Sequence, residues 1–173
     1  MIKKFVTLPD QKIRQTSQEV VAFDKSVVRI VHDLLETAEV QKEPVALGLA
    51  APQISVFKRV FVARIRNKFK HFINPTIVKY SPKEVTLMEG CFSVPEIYGN
   101  VIRPQEVDVK YYDMHGKLQQ THFKGLAAKI IQHEFDHLDG ILFIDHVHTQ
   151  NGKTFKVVKD EEGKEQFVET PLV

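Results

Sequence analysis

The stretch His133-Glu134-Phe135-Asp136-His137 sets the central element of the fold. On a helix its two histidines lie four residues apart, so both imidazoles project from one face and can bind one metal ion. Glu134 follows the first histidine, where a carboxylate can reach a water molecule beside the metal. Apolar residues surround the stretch and predict a partly buried helix: Ile130, Ile131, Leu138 and Ile141. Polar side chains at such positions would be unfavourable without a function.

The segments around this stretch predict an α+β fold. The stretch lies in a helix predicted from Gly125 to Leu138, and an amphipathic helix is predicted from Asp24 to Gln41 with Asp24 as its N-cap. Short β-rich segments separated by turn signals lie between the helices: Arg59–Ile65, Phe72–Tyr80, Glu84–Leu87, Val107–Asp113 and Leu118–Phe123. Strands that are grouped, rather than alternating with helices, favour a single α+β domain of mostly antiparallel strands around the central helix.

The tail is predicted to form one more hairpin, over Thr154–Val168, with its turn at Glu161–Lys164. We therefore expect residues 1–173 to form one catalytic domain, in which residues 148–173 are a hairpin tail.

Composition excludes several classes of protein. The chain has 173 residues, of which 43% are hydrophobic, and this suits one globular domain. A formal charge of +2 with scattered basic residues gives no basis for nucleic-acid binding. The single cysteine excludes an internal disulfide and suits a reducing compartment. Because no apolar run reaches the length of a membrane span, we expect a cytoplasmic protein, and a monomer in the absence of an oligomerisation signal.

A third metal ligand could come from either side of the stretch. Downstream, Gly140 fits the pattern HExxHxxGxxH, but Phe143 stands where that pattern has its third histidine. His146 and His148 are looser downstream candidates. Upstream, Cys91 is the only cysteine, and the glycine and proline around it suggest a constrained turn rather than a core strand. A free cysteine more often serves as a small apolar residue of the core. Here, however, two histidines need a third protein ligand to hold a metal ion, and this favours Cys91 as that ligand.

Three motifs together resemble those of peptide deformylases. They are Gly48-Leu49-Ala50-Ala51-Pro52-Gln53, then Glu89-Gly90-Cys91-Phe92-Ser93-Val94-Pro95, then Gln132-His133-Glu134-Phe135-Asp136-His137-Leu138-Asp139-Gly140. Their order and spacing also resemble the family, as do Leu8-Pro9-Asp10 with Arg14 and the segment Phe72-Ile73-Asn74-Pro75. The resemblance covers the chain from about residue 8 to residue 147 and implies an enzyme that removes the formyl group from formyl-methionyl nascent polypeptides and releases formate.

The resemblance also implies a metal centre. It assigns Cys91, His133 and His137 as ligands of one divalent metal, with a fourth position for water and with Glu134 as the general base and acid. Ferrous iron is the expected metal, with zinc, nickel or cobalt as substitutes in purified protein.

Other roles follow from the same resemblance. The side-chain amide of Gln53 and the backbone N–H of Phe92 would stabilise the oxyanion. The absence of a side chain at Gly48 would let the peptide backbone approach closely. Arg103 would pair with Glu89 to support the cysteine loop. The residues expected to bind substrate are Leu47, Gly48, Glu89, Leu126 and Lys129.

The sequence departs from the family pattern at several points. Ala46, where the family often has glycine, is a mild change. Phe92 replaces the more usual leucine after the cysteine; it keeps the backbone N–H but has a bulkier side chain. Lys129 stands where an apolar residue is expected near the methionine pocket, so its charged end either extends outward to water or narrows and polarises the pocket. The tail from Lys153 to Glu169 has four lysines against five acidic residues, so docking to the ribosome through a basic C-terminal helix is not supported.

Two other hypotheses fit parts of the pattern. One is a zinc endopeptidase of the HExxH type with a downstream ligand. The other is a binding protein of the same fold that has lost catalysis. Replacing Cys91 distinguishes the first of these from a deformylase, because an endopeptidase with a downstream ligand would keep its metal.

Overall fold

The helix that carries the two histidines runs from Leu126 to Leu138 (α2) and is largely buried. A computed structural model describes residues 1–160 and 164–171 of the chain. The side chains that α2 buries lie on more than one face: Ala128, Lys129, Ile130, Ile131, Gln132, Glu134, His137 and Leu138. The helix therefore lies inside the domain, although four of these eight buried side chains are polar or charged.

Most of α2 packs on an antiparallel sheet whose strands follow the order β1-β2-β3-β6-β7. The bounds are Gly48–Ala50 for β1, Val60–Ile65 for β2, Lys68–Tyr80 for β3, Glu106–Tyr112 for β6 and Leu118–Lys124 for β7. Residues 60–63 of β2 are all buried, because α2 contacts β2 and so does the first helix, α1 (Lys25–Glu39). A strand covered by helices on both faces needs apolar residues at successive positions rather than at alternate ones.

The second antiparallel sheet follows the order β4-β5-β8-β9. Its strands are Glu84–Cys91 for β4, Val94–Pro104 for β5, Thr154–Lys159 for β8 and Glu165–Thr170 for β9. Cys91 is the last residue of β4 and pairs with Val94 at the start of β5. The tight turn between them places the cysteine at the end of the sheet that faces α2.

Several predicted elements are present where the sequence placed them. Helix α1 begins after Asp24, whose carboxylate accepts a hydrogen bond from the backbone N–H of Ser26 at 2.8 Å, so the predicted N-cap is confirmed. The α+β fold with mostly antiparallel strands is also confirmed. The tail forms a hairpin from β8 and β9, and residues 161–163 of its predicted turn lie outside the described residues.

Other elements were not predicted. Strand β5 is the longest omission, and β4 continues to Cys91 instead of ending at Leu87. Pro95, Gly99 and Pro104 indicate turns by local preference. Gly99 is nevertheless paired with β4 on one side and β8 on the other, and Pro104 is paired with Glu84 of β4. Strand β1 and the short helix α3 (Phe143–Thr149) were also missed.

Replacing Gly140 by alanine is expected to destabilise the fold. Gly140 follows α2 with φ of 72°, and an added Cβ would lie 2.1 Å from the backbone oxygen of Arg14. Gly116 is a matched control, because its φ of 74° is similar but its nearest contact is a Phe23 ring atom at 3.1 Å. We expect Gly116→Ala to lower the free energy of unfolding by about 1–2 kcal/mol. We expect Gly140→Ala to lower it by about 3 kcal/mol in denaturant titrations. Equal losses would contradict the close approach to Arg14.

Candidate active site

Three candidate ligand atoms converge where β4 ends against α2. The Sγ atom of Cys91 and the ring nitrogens of His133 and His137 all lie within 4.8 Å of one another. The Cys91 Sγ atom is 3.3 Å from His137 Nε2, and the two imidazole rings have centroids 5.1 Å apart. One thiolate and two imidazoles at this spacing fit a tetrahedral site that keeps a position open.

The downstream candidates for the third ligand lie elsewhere. His146 Nε2 is hydrogen-bonded to Asp136 at 2.8 Å, and His148 is exposed. Phe143, at the position of the third histidine in the endopeptidase pattern, is buried and stacks on His133 with ring centroids 6.3 Å apart. Among residues 1–160 and 164–171, the group of side chains placed to hold a metal is the Cys91, His133 and His137 set.

Glu89 orients His133 from behind the site. Its carboxylate is 2.8 Å from His133 Nδ1 and receives two hydrogen bonds from Arg103, at 2.5 and 2.9 Å. Although burial alone would favour the neutral acid, hydrogen bonds from His133 and Arg103 lower the pKa of Glu89 to about 2. The hydrogen bond at Nδ1 fixes the ring orientation and leaves Nε2 free to face Cys91.

Arg103 is buried and connects three parts of the site. Besides its paired hydrogen bonds to Glu89, its Nη1 atom donates to Asp136 at 2.8 Å. Asp136 in turn accepts from His146 on α3. The pairing of Arg103 with Glu89 was expected, and Asp136 and His146 extend it into a network. Burial, together with the nearby His133, lowers the pKa of His137 well below its usual range.

Glu134 lies beside the ligands with one oxygen unpaired. Its side chain is 3% exposed, and Oε2 has no hydrogen-bond partner among the residues that the structure describes. Burial raises the pKa of Glu134 to about 7. A carboxyl group that is poised near neutral pH can accept a proton and return it within one catalytic cycle.

Gly48 provides the space that Glu134 occupies. A Cβ atom at this position would lie 2.3 Å from Glu134 Oε1 and 2.6 Å from Glu134 Cδ. The sequence suggested that Gly48 leaves room for a bound peptide backbone. The structure gives a second reason for glycine at this position, since any larger residue would displace the carboxylate.

Gln53 uses both ends of its amide. Its Oε1 atom accepts a hydrogen bond from the backbone N–H of Ala50 at 2.9 Å and so caps a local turn. Its Nε2 atom lies 3.4 Å from Cys91 Sγ and 3.3 Å from Ser93 Oγ. The oxygen therefore holds the side chain in place while the amino group points toward the metal-ligand end of the site. Phe92 follows Cys91 directly, and its ring stacks on Phe5 at 4.7 Å between centroids.

A cleft of about 1000 Å³ opens over these groups. Its lining includes the catalytic candidates Gln53, Phe92 and Glu134 together with Cys91 and His133. The residues predicted to bind substrate also line it: Leu47, Gly48, Glu89, Leu126 and Lys129. Leu47 and Leu126 are 42% and 54% exposed, so their apolar side chains are available to contact a bound ligand.

Lys129 does not extend outward into water, and that alternative is wrong. The residue is 4% exposed, and its Nζ atom donates to the backbone oxygens of Val85 at 2.6 Å and Arg103 at 2.8 Å. These carbonyl groups from β4 and β5 replace the water that a lysine normally requires. Burial, together with the nearby Arg103 guanidinium, lowers the pKa of Lys129 to about 8.

The fold and this arrangement of side chains are those of a metal-dependent hydrolase whose candidate ligands are one cysteine and two histidines of a single helix. Residues 2–153 match the family model described as polypeptide deformylase. The chain belongs to the polypeptide deformylase family. None of the helices in the described residues has both the length and the apolar character needed to span a bilayer.

Curated relatives and solved structures agree with this assignment. A peptide deformylase of Pseudothermotoga lettingae is 36% identical, over 99% of this chain and 100% of its own length. A peptide deformylase of Rhizobium meliloti is 40% identical, over 84% of this chain and 85% of its own. A peptide deformylase structure from Acinetobacter baumannii with Met-Ala-Ser bound superposes with a TM-score of 0.78 at 29% identity, covering 84% of this chain and 98% of that one.

Proposed function

We propose that this chain hydrolyses the formamide bond of N-formyl-methionyl polypeptides, with Cys91, His133 and His137 holding a divalent metal and Glu134 transferring the proton. The observation that carries the proposal is the buried carboxylate of Glu134 beside this ligand set, with one oxygen unpaired. Membership of the family supports the reaction, and the position of these groups at the cleft supports the assignment of roles.

The donor set fits a first-row divalent metal, because thiolate and imidazole ligands bind iron, cobalt, nickel and zinc. When bound, such an ion lowers the pKa of coordinated water to about 7 in favourable zinc sites and so makes a nucleophile available near neutral pH. We assign ferrous iron as the metal in the cell, and zinc, nickel or cobalt as substitutes after purification.

Glu134 then carries the proton in both directions. Its Oε2 atom accepts a proton from the attacking water and later delivers it to the nitrogen of the departing amine. The raised pKa of this carboxyl group, about 7, suits both transfers. Gln53 Nε2 and the backbone N–H of Phe92 are assigned to the developing oxyanion.

The substrate occupies the cleft above these groups. The Acinetobacter baumannii relative binds Met-Ala-Ser, and we propose that a formyl-methionyl peptide lies similarly against Leu47, Gly48 and Leu126 here. The aliphatic part of Lys129 would line the same wall while its ammonium group stays with the strand carbonyls. Because Arg103 donates to both oxygens of Glu89 and His133 bonds to one of them, we assign this side chain to orienting His133 and not to direct contact with substrate.

We propose that the protein acts as a monomeric, cytoplasmic enzyme with one catalytic domain over residues 1–173. Any approach to the ribosome would be transient and would not use a basic C-terminal helix, because β8 and β9 occupy the described part of the tail. Neither a membrane nor nucleic acid is assigned as a partner.

The test is formate release under anaerobic conditions. The purified chain would be loaded with ferrous iron and given a short formyl-methionyl peptide, and cleavage of internal peptide bonds would be followed in the same sample. We expect stoichiometric formate and free peptide amine, without internal cleavage. Absence of formate from a protein with one metal bound would contradict the proposed function.

Gln53→Ala is expected to lower turnover about 10²–10³-fold, the usual effect of losing one oxyanion donor. Gln53→Glu separates this role from turn capping, because the carboxylate keeps an acceptor for the Ala50 N–H but has no amino group to donate. We expect both variants to lose turnover at equal metal content. If Gln53→Glu kept the wild-type kcat while Gln53→Ala lost it, Gln53 would only cap the turn.

Gly48→Ala is expected to lower kcat about 10²-fold, because the added methyl group must turn the Glu134 carboxylate away from its position. The measurement is formate release at saturating peptide, with metal content determined on the same preparation. A variant that bound metal and retained wild-type turnover would show that Glu134 has no need of this space.

A further inference from the structure

The C-terminal hairpin continues the sheet that ends in Cys91. The match to the family model ends at residue 153, and β8 begins at Thr154. Strand β8 nevertheless pairs with β5, in a register that places Phe155 opposite Tyr98. Tyr98 itself lies opposite Gly90 of β4. The hairpin is therefore built onto the sheet that carries the cysteine ligand.

One face of the β8–β9 hairpin is directed toward the cleft. Side chains of a strand alternate between its faces, so Phe155 and Val157 lie on the same side as Tyr98. Val157 pairs with Phe167 of β9, and the rings of Phe167 and Tyr98 meet edge to face at 5.4 Å between centroids. Val158 and Val168 belong to the opposite face by the same alternation.

The cleft and this face are continuous. The lining of the cleft includes Tyr98, Val157 and Glu165 as well as Cys91 and Glu134. Phe167 is 51% exposed although it packs on Tyr98. We call Tyr98, Val157, Glu165 and Phe167 the outer subsite. It combines an aromatic and aliphatic surface with one carboxylate, beyond the part of the cleft that surrounds the metal ligands.

We propose that the outer subsite binds the third or fourth residue of the formyl-methionyl peptide. This rests on the proposed function and adds a specificity site to it. Neighbouring strands lie about 4.8 Å apart, so β8 and β9 are about 10 and 14 Å from β4. An extended peptide advances about 3.3 Å per residue, so three to four residues span this distance. The surface favours an apolar side chain, and Glu165 disfavours an acidic one.

The test compares a short and a long substrate on the iron-loaded full chain. The substrates are formyl-Met-Ala and formyl-Met-Ala-Leu-Leu, and the readout is the ratio of their kcat/KM values for formate release. We expect the wild type to favour the long peptide about ten-fold, as the burial of one aliphatic side chain allows, and mainly through KM. Phe167→Ala should bring this ratio close to one. Val168→Ala, on the opposite face of the same strand and 48% exposed, should keep it.

A second pair of variants covers the case in which Phe167→Ala disturbs the hairpin. Val157→Thr is nearly isosteric but polar, and it should lower the ratio, whereas Val158→Thr on the opposite face should not. A wild-type ratio near one, or an equal loss in both members of a pair, would overturn the outer subsite. A wild-type dimer that Phe167→Ala dissociates, with the ratio unchanged, would overturn it in favour of a second copy of the chain. If neither peptide yields formate, the proposed function itself has failed.

Discussion

Glu134→Gln is expected to lower kcat for formate release by about 10²–10⁴-fold, the range for loss of a general acid–base group. The glutamine has almost the same shape, so it fits beside Gly48 as the native side chain does, but it cannot take up and return a proton. Metal content should stay at the wild-type level, because Glu134 is not part of the ligand set. Steady-state kinetics and elemental analysis on one preparation test both parts of the prediction.

A double variant locates the cause of the Gly48→Ala effect. If alanine at position 48 acts by displacing the Glu134 carboxylate, adding it to Glu134→Gln should cost little further activity. Additive losses would mean that Gly48 contributes independently, for example by contacting the peptide. If Glu134→Gln retained substantial kcat with the metal bound, another group would have to carry the proton.

Cys91→Ser is expected to weaken metal binding more than about 100-fold. Loss of a residue that hydrogen-bonds to a metal ligand already lowers metal affinity 10–100-fold. Loss of the ligand itself should lower the affinity further. The affinity can be measured by competition with a chelator of known strength. The matched control is His146→Ala, which removes the downstream candidate ligand but leaves the Cys91, His133 and His137 set in place.

The two variants distinguish the classes of hydrolase. Retention of metal by His146→Ala and its loss from Cys91→Ser would support the upstream cysteine. The reverse pattern, with internal peptide cleavage by Cys91→Ser, would support an endopeptidase with a downstream ligand.

The sequence was most informative where chemistry depends on local spacing. The two histidines and Glu134 could be placed on one helix because a separation of four residues is slightly more than one helical turn, which leaves both histidines on the same face. Asp24 could be recognised as an N-cap for a similar reason, since its partner is two residues away. In contrast, strand β5 was missed because its proline and glycine residues favour turns locally, and its pairing with β4 and β8 is not visible in a local pattern.

Contacts between segments that are far apart in the sequence could not be predicted from local residue patterns. Lys129 is buried without a carboxylate as ion-pair partner because its ammonium group donates to backbone carbonyl groups of β4 and β5. The residue pattern along α2 does not predict these contacts. The requirement for glycine at position 48 likewise comes from Glu134, far along the chain. The outer subsite arises from strand pairing in the tail, where the sequence suggested a hairpin but gave no indication of which face would meet the cleft.

The origin of the ligands in separate elements links metal affinity to folding. Cys91 and His137 are 46 positions apart in the sequence, and the β4–β5 turn must dock against α2 before their side chains meet at 3.3 Å. An unfolded chain offers no such site, so a divalent ion held by these residues would bind the native state preferentially and would shift the equilibrium toward it by mass action. The same ion that serves the chemistry would also act as a thermodynamic ligand of the fold, and resistance to heat and to proteolysis would follow the supply of metal.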